Sequence, residues 1–231
     1  MIILALDTTT RGGSVAVTDG DRLLALVRGD ESRTHGERLP GEMARGLDEA
    51  GITREHVDLL AVATGPGAFT GLRIGLAAMQ GLAMTLNKPV IGVSALDALA
   101  AQVTGSSVDV IVPWMDAQRG DVFATMVDGV SRAVVEPPVA AHPEALIAEW
   151  LPRLANRPAM FIGDAAMRDA AVIARHSTGQ WDARAPDPLA PQIAALAQLR
   201  ALNGDAGSPH ALEPIYVRRP DAEIERERRR R

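Results

Sequence analysis

The chain of 231 residues contains no cysteine. Disulfides and thiolate chemistry are excluded, and zinc sites built on sulfur go with them. Aromatic residues make up only 3% of the chain, so its core is expected to be aliphatic and rich in alanine. No apolar run reaches the roughly 18 residues that a membrane span requires. The start, MIILALD, shows no charged leader or cleavage site, so a cytoplasmic protein without a membrane segment is expected. The net charge of -5 gives no global attraction to nucleic acid, and any RNA contact must be local. Lysine occurs once, at Lys88, and GxxxxGK[ST] is absent, so a P-loop is excluded. The five histidines, His35, His56, His142, His176 and His210, are widely separated. No HExxH or HxxxH pair presents two metal ligands on one helix turn. No serine stands in a GxSxG setting, so a hydrolase triad has no support either.

What is present is a 47% apolar chain, long enough for two small domains. Ile2 to Leu6 reads as a buried strand. Ser14 to Val17 and Leu23 to Arg28 read as two more, joined by the hairpin signal Asp19-Gly20. Leu39, Met43 and Leu47 recur every four residues before Gly51 and predict an amphipathic helix over 36–50. Leu59 to Ala63 predicts a strand, and a long helix follows to Leu86. Pro89 to Val93 predicts another strand, closed by Ser94 as a helix cap with Asp97 three residues on.

Polar residues around Gly105 mark a domain boundary. Strands are then expected at 109–115, 121–127 and 130–135, with Asp128-Gly129 as a turn. Another is expected at 160–163, and helices at 143–155, 165–176 and 189–203. The order suggests two related α/β halves, 1–104 and 105–222, each a mixed sheet with flanking helices. A charged tail, 223–231, ends in ERERRRR and reads as a solvated charge run.

Two places could carry chemistry. Asp7 stands at the end of the first strand, where ligands bind in open α/β sheets. The small polar turn Thr8, Thr9, Thr10, Gly12 and Gly13 could offer backbone N–H groups to a phosphate, or simply make a tight hairpin. The second is GPGAFTGLRIG. Its glycines let backbone approach a ligand or a helix closely. Gly71, Gly75 and Gly81 persist within the helix, each at a cost of about 1 kcal/mol against alanine, and Ala77 and Ala78 extend the small surface. Close helix packing, inside the chain or against a partner, is the expected compensation.

At these residues the chain resembles a known family. Ile3-Leu4-Ala5-Leu6-Asp7-Thr8, the Arg38-Leu39 helix, Gly65-Pro66-Gly67-Ala68-Phe69-Thr70-Gly71-Leu72-Arg73-Ile74-Gly75 and Gly92-Val93-Ser94-Ala95-Leu96 are similar to segments of the TsaB (YeaZ) family. That family belongs to tRNA threonylcarbamoyladenosine biosynthesis. Met115 to Phe123, Gly163-Asp164-Ala165 and Glu213 to Arg218 extend the resemblance over 1–222; the arginine-rich tail departs from it.

The resemblance implies the duplicated actin-like, sugar-kinase-like (ASKHA, RNase H-like) fold. It implies a non-catalytic subunit that binds the catalytic relative TsaD, with the ATPase TsaE joining. TsaD transfers a threonylcarbamoyl group to adenosine in tRNAs that read codons starting with A. tRNA is reached through the complex, and a homodimer forms when the partner is absent. By the match, the two histidines that bind metal in TsaD-type proteins fall at Ala95 and Leu99, which cannot ligate an ion. The alternative is an ASKHA transferase that uses nucleotide on its own. An old peptidase label lacks both nucleophile and zinc motif here.

Leu39, Met43, Leu47, Gly71, Gly75 and Ala78 are the expected partner interface, although an apolar stripe by itself usually faces the core. Asp7, Thr8, Gly65 and Gly67 are the expected vestigial or shared nucleotide site. No cofactor is expected to be held tightly by this chain alone, ATP or ADP being left to interfaces in the complex.

Overall fold

The computed structural model describes residues 1–105, 108–205 and 207–218. The expected tail and the last residues of the expected second half lie outside them. The chain forms two compact units. Of the described residues, one holds those of Met1–Gln102 and Asp187–Ile215; the other holds those of Val103–Pro186 with Tyr216, Val217 and Arg218.

In the first unit, β1 (Ile2–Asp7), β2 (Ser14–Asp19) and β3 (Arg22–Arg28) form an antiparallel meander. After α1 (His35–Ala50), β4 (Leu59–Gly65) pairs parallel to β1. After α2 (Phe69–Leu86), β5 (Val90–Ser94) pairs parallel to β4. The sheet order is β3-β2-β1-β4-β5. β1 and β4 are near-continuous apolar runs because both faces of a central sheet are covered. Leu4, Leu6, Leu60 and Val62 meet Leu39 and Leu47 of α1 and Leu72, Leu76 and Met79 of α2. Ile3, Ala5, Leu59 and Ala61 alternate with them along the strands and are equally buried. α3 (Ala95–Ala101) and α7 (Ala190–Leu202) also pack on this sheet. α3 starts as expected, its Asp97 N–H donating to the Ser94 hydroxyl at 3.3 Å.

The second unit repeats the plan. β6 (Val110–Asp116), β7 (Val122–Asp128) and β8 (Val134–Ala141) form the meander. β9 (Ala159–Ile162) pairs parallel to β6, and β10 (Trp181–Arg184) parallel to β9. The order β10-β9-β6-β7-β8 is the first sheet's order read from the other edge, with every strand sense preserved. α4 (Pro143–Leu154), α5 (Asp164–Arg168) and α6 (Ala170–His176) supply its helices. Its core departs from the aliphatic expectation. All three tryptophans lie here, and Trp114 meets Phe161 edge-on with ring centroids 5.4 Å apart.

Four details differ from the sequence reading. The third strand of this unit starts at Val134, not Val130. The Asp128 carboxylate accepts hydrogen bonds from the N–H groups of Val130 and Ser131, which holds those residues in a turn. β8 carries Pro137 and Pro138, and it tolerates them because it is an edge strand. The helix expected over 165–176 breaks at Asp169, whose carboxylate accepts the Trp114 indole N–H at 2.9 Å. β10 had no counterpart in the sequence reading. Finally, 187–215 was read with the second half but belongs to the first unit: Ala190, Ile193, Ala194 and Ala197 of α7 are buried, and the Ala190 N–H donates to the Ser14 hydroxyl.

Candidate functional site

β1 delivers Asp7 to the carboxyl edge of the first sheet, but the chain turns back on it. The Thr9 N–H and hydroxyl both donate to Asp7 Oδ1, at 2.8 and 2.6 Å. The Thr10 hydroxyl accepts the Gly13 N–H at 3.1 Å. Gly13 has φ +62, and a Cβ there would stand 2.6 Å from the Asp7 carbonyl oxygen, so the turn closes only on glycine. Burial pushes the Asp7 carboxyl above its ordinary range; the Thr9 hydrogen bonds, the His35 charge and Thr10 act the other way. N–H groups that were candidates for phosphate contact, those of Thr9 and Gly13, have internal acceptors.

The glycine-rich loop is pressed onto the same turn. The Ala68 N–H donates to the Thr9 carbonyl at 2.9 Å. Built Cβ atoms would lie 2.5 Å from Thr9 at Gly67, 2.4 Å from the Thr8 carbonyl oxygen at Gly71, and 2.1 Å from the Thr8 hydroxyl oxygen at Gly75. Thr8 is fully buried and its hydroxyl has no hydrogen-bond partner among the described residues. On the other side of the loop, the Ile215 N–H donates to the Thr64 carbonyl at 2.7 Å, and the Ile215 carbonyl oxygen lies 2.9 Å from where a Cβ of Gly65 would be. Asp7, Thr8, Gly65 and Gly67 are therefore brought together, but packed against their own chain.

Of the six residues expected at a partner interface, four belong inside. Leu39 and Leu47 are buried in the core of the first unit. Gly71 and Gly75 are buried against Thr8. Met43 and Ala78 are half-buried and pack on the core's margin. The physical reason is the depth of α2: it reaches β1 so closely that its glycine face is the inner one. The exposed residues of α2 include Phe69, Arg73, Ala77, Gly81 and Met84. The Arg73 guanidinium sits 3.9 Å from the centroid of the Phe69 ring.

Sequence reasoning missed a buried network between α1 and the strand-end turn. Arg38 is only 4% exposed. Its guanidinium donates to both Glu42 oxygens at 2.6 and 2.8 Å, and to the carbonyls of Arg11 and Gly12 at 2.9 and 2.6 Å. His35 bridges the Thr10 carbonyl and Arg38, each at 3.0 Å. The signal was available: Thr34 and Glu37 have capping-box spacing, and Arg38 and Glu42 stand four apart.

In the second unit, Asp116 ends β6 as Asp7 ends β1. It too is occupied, by Arg168 at 2.6 Å and by the Gln118 side chain at 2.9 Å. Arg168 also grips Asp169 with two hydrogen bonds of 2.8 and 2.9 Å. Burial raises the Asp164 carboxyl, which accepts the Asp116 and Ala165 N–H groups, both at 2.9 Å. Among the described residues, no three His, Asp or Glu side chains gather in a way that could hold a metal ion.

A family model described as TsaD, tRNA N6-adenosine threonylcarbamoyltransferase, matches residues 29–225. The chain is 28% identical to the tRNA threonylcarbamoyladenosine biosynthesis protein TsaB of Bacillus subtilis, covering 96% of each. The chain belongs to the TsaD family, on its TsaB (YeaZ) branch. The structure of YeaZ from Pseudomonas aeruginosa superposes with a TM-score of 0.71 at 26% identity, over 93% of this chain and 99% of that one. An uncharacterised Mycobacterium tuberculosis protein is 32% identical over 95% of this chain and 93% of its own length. The two sheets of this TsaB-type chain carry the duplicated actin-like, sugar-kinase-like fold. Ala95 and Leu99 are 0% and 1% exposed in α3.

Proposed function

We propose that this chain is a non-catalytic subunit in tRNA threonylcarbamoyladenosine biosynthesis, acting in the cytoplasm by binding and supporting a TsaD-type catalytic subunit. A TsaE-type ATPase joins the assembly, and tRNA is bound through the complex. What supports this reading is that the resemblance puts the family's two metal-ligand positions at Ala95 and Leu99, and both are aliphatic side chains buried in the core. Neither has a lone pair to offer an ion that holds phosphates. The strand-end carboxylates support it: Asp7 is satisfied by Thr9, and Asp116 by Arg168 and Gln118. Neither is left facing a substrate.

The contact with the partner uses the outward face of α2 together with the margin of α1, of which Met43 and Ala78 are the expected residues that retain exposure. Small side chains such as Ala77 and Gly81 allow close helix approach there, and Phe69 and Met84 supply apolar area, at 41% and 61% exposure. In isolation the same face pairs two copies of the chain. Nucleotide is not held tightly by the chain alone; an ATP or ADP site, where one exists, lies at an interface of the complex.

The decisive experiment is co-purification with the TsaD-type subunit, followed by a tRNA modification assay with each component omitted. Modification that requires both subunits, with none from this chain alone, is the expected result. Turnover by this chain alone would instead establish an autonomous transferase.

A further inference from the structure

We propose that His35 is a proton-sensitive latch that holds the Thr10–Gly13 turn and the start of α1 against α2. The inference begins with the tautomer. An arginine nitrogen only donates, so the 3.0 Å contact between Arg38 Nη2 and His35 Nδ1 makes Nδ1 an acceptor. The ring proton therefore sits on Nε2, where it meets the Thr10 carbonyl at 3.0 Å. The imidazole is wedged in place. Its Cε1 lies 3.0 Å from where a Cβ of Gly13 would be, and its Cδ2 3.0 Å from where one of Gly71 would be.

A second proton must go onto Nδ1, directly against an Arg38 N–H. Arg38 cannot turn away, because Glu42 and the carbonyls of Arg11 and Gly12 already hold it. The charged groups that act on the ring are Arg38 and Glu42 from α1 and Asp7 from β1. From α2, Gly71 lies against it. Burial and then Arg38 oppose the imidazolium, whereas the Thr10 hydrogen bond, Asp7 and Glu42 favour it. Burial dominates and keeps the ring below its ordinary value of 6.5. Protonation thus breaks the His35–Arg38 bond and loosens Arg38 from the two carbonyls, releasing the turn from α1 and α2. If α1 and α2 meet the partner subunit, as proposed above, acid weakens that contact; this consequence alone rests on that reading.

The test is an NMR titration of the whole chain from about pH 7.5 to about pH 5.5, following the histidine ring signals and the backbone amides of Gly12 and Gly13. His35 should titrate below the ordinary histidine value of 6.5, and both glycine amides should move with its midpoint. In His35→Gln, which can still accept from Arg38 and donate to Thr10, the glycine amides should lose that transition. A His35 that titrates at or above 6.5, or glycine amides that stay silent as it titrates, would overturn the latch. The wild-type titration decides this even if the variant does not fold. Binding to the TsaD-type subunit, measured at both ends of the range, should weaken several-fold in acid for the wild type and not for His35→Gln. Absence of binding at either pH would count against the partner reading and leave the latch standing on the titration.

Discussion

Gly75 of α2 faces Thr8 at the end of β1, and a Cβ at Gly75 would stand 2.1 Å from the Thr8 hydroxyl oxygen. This approach explains why a helix carries glycine where alanine is intrinsically better. Gly81, six residues along the same helix, is exposed and has nothing within 4 Å of a built Cβ. The two positions should therefore respond oppositely to one methyl group. Gly75→Ala is expected to destabilise the chain by about 1–3 kcal/mol through overpacking. Gly81→Ala is expected to stabilise it by about 0.5–1 kcal/mol through helix propensity. Urea denaturation of both variants checks this, and equal effects of the same sign would refute the inward assignment of the glycine face.

Arg38 should be among the costliest single positions on α1. Its charge is buried and shared between Glu42 and two carbonyls of the strand-end turn. Arg38→Met strands Glu42, whose side chain is only 11% exposed, and leaves the Arg11 and Gly12 carbonyls without their donor. A loss of about 3–5 kcal/mol is expected. Arg38→Lys should recover little of it, since a single ammonium cannot span a carboxylate and two carbonyls as a planar guanidinium does. Thermal unfolding of the two variants, compared with Arg45→Met on the exposed face of the same helix, measures the difference.

The pH dependence of stability should contain opposed contributions from Asp7 and His35. Asp7 is raised above its ordinary value of 3.8, so the native state holds its proton more tightly than the unfolded chain does. Its contribution is fully present below pH 3.8 and is lost as pH rises through the native value. His35 is lowered, so its contribution is present above 6.5 and is lost as pH falls from there through its native value. Asp7→Asn keeps an acceptor for Thr9 and removes the buried charge. The variant should be more stable than the wild type at neutral pH, with the difference shrinking in acid. Urea midpoints at about pH 4 and about pH 7 test this. A variant less stable than the wild type at both would mean that the Thr9 hydrogen bonds outweigh the burial cost.

Much of this fold was legible because its strands are short apolar runs bounded by glycine and aspartate. Ile2–Asp7, Leu59–Gly65 and the cap at Ser94 could be read directly. Two of the misreadings come from a partner far away in sequence. The helix break at Asp169 answers to Trp114, 55 residues earlier. α7 joins the first unit through contacts such as Ala190 with Ser14, 176 residues apart. β10 has only four residues at a sheet edge with alternating exposure, too little pattern to distinguish from a loop. At the candidate site the glycines correctly announced a close approach. Their periodicity could not say whether the thing approached was another subunit or the molecule's own Thr8.

That ambiguity sets the last prediction. Since Gly71 and Gly75 point inward, substitutions there report on folding and cannot test a partner contact. Ala77 is the informative position: it lies on the exposed face of α2, in line with Arg73, Gly81 and Met84. Surface substitutions in such places usually change stability by about 0.5 kcal/mol or less. Ala77→Arg should therefore leave the circular dichroism spectrum and the urea midpoint unchanged. At an interface of closely packed helices, the same side chain would bring a charge and several methylenes into space left for a methyl group. Light scattering should then show loss of self-association, and the TsaD-type subunit should no longer co-purify. A folded Ala77→Arg variant that associates and supports modification as the wild type does would place the partner contact away from α2.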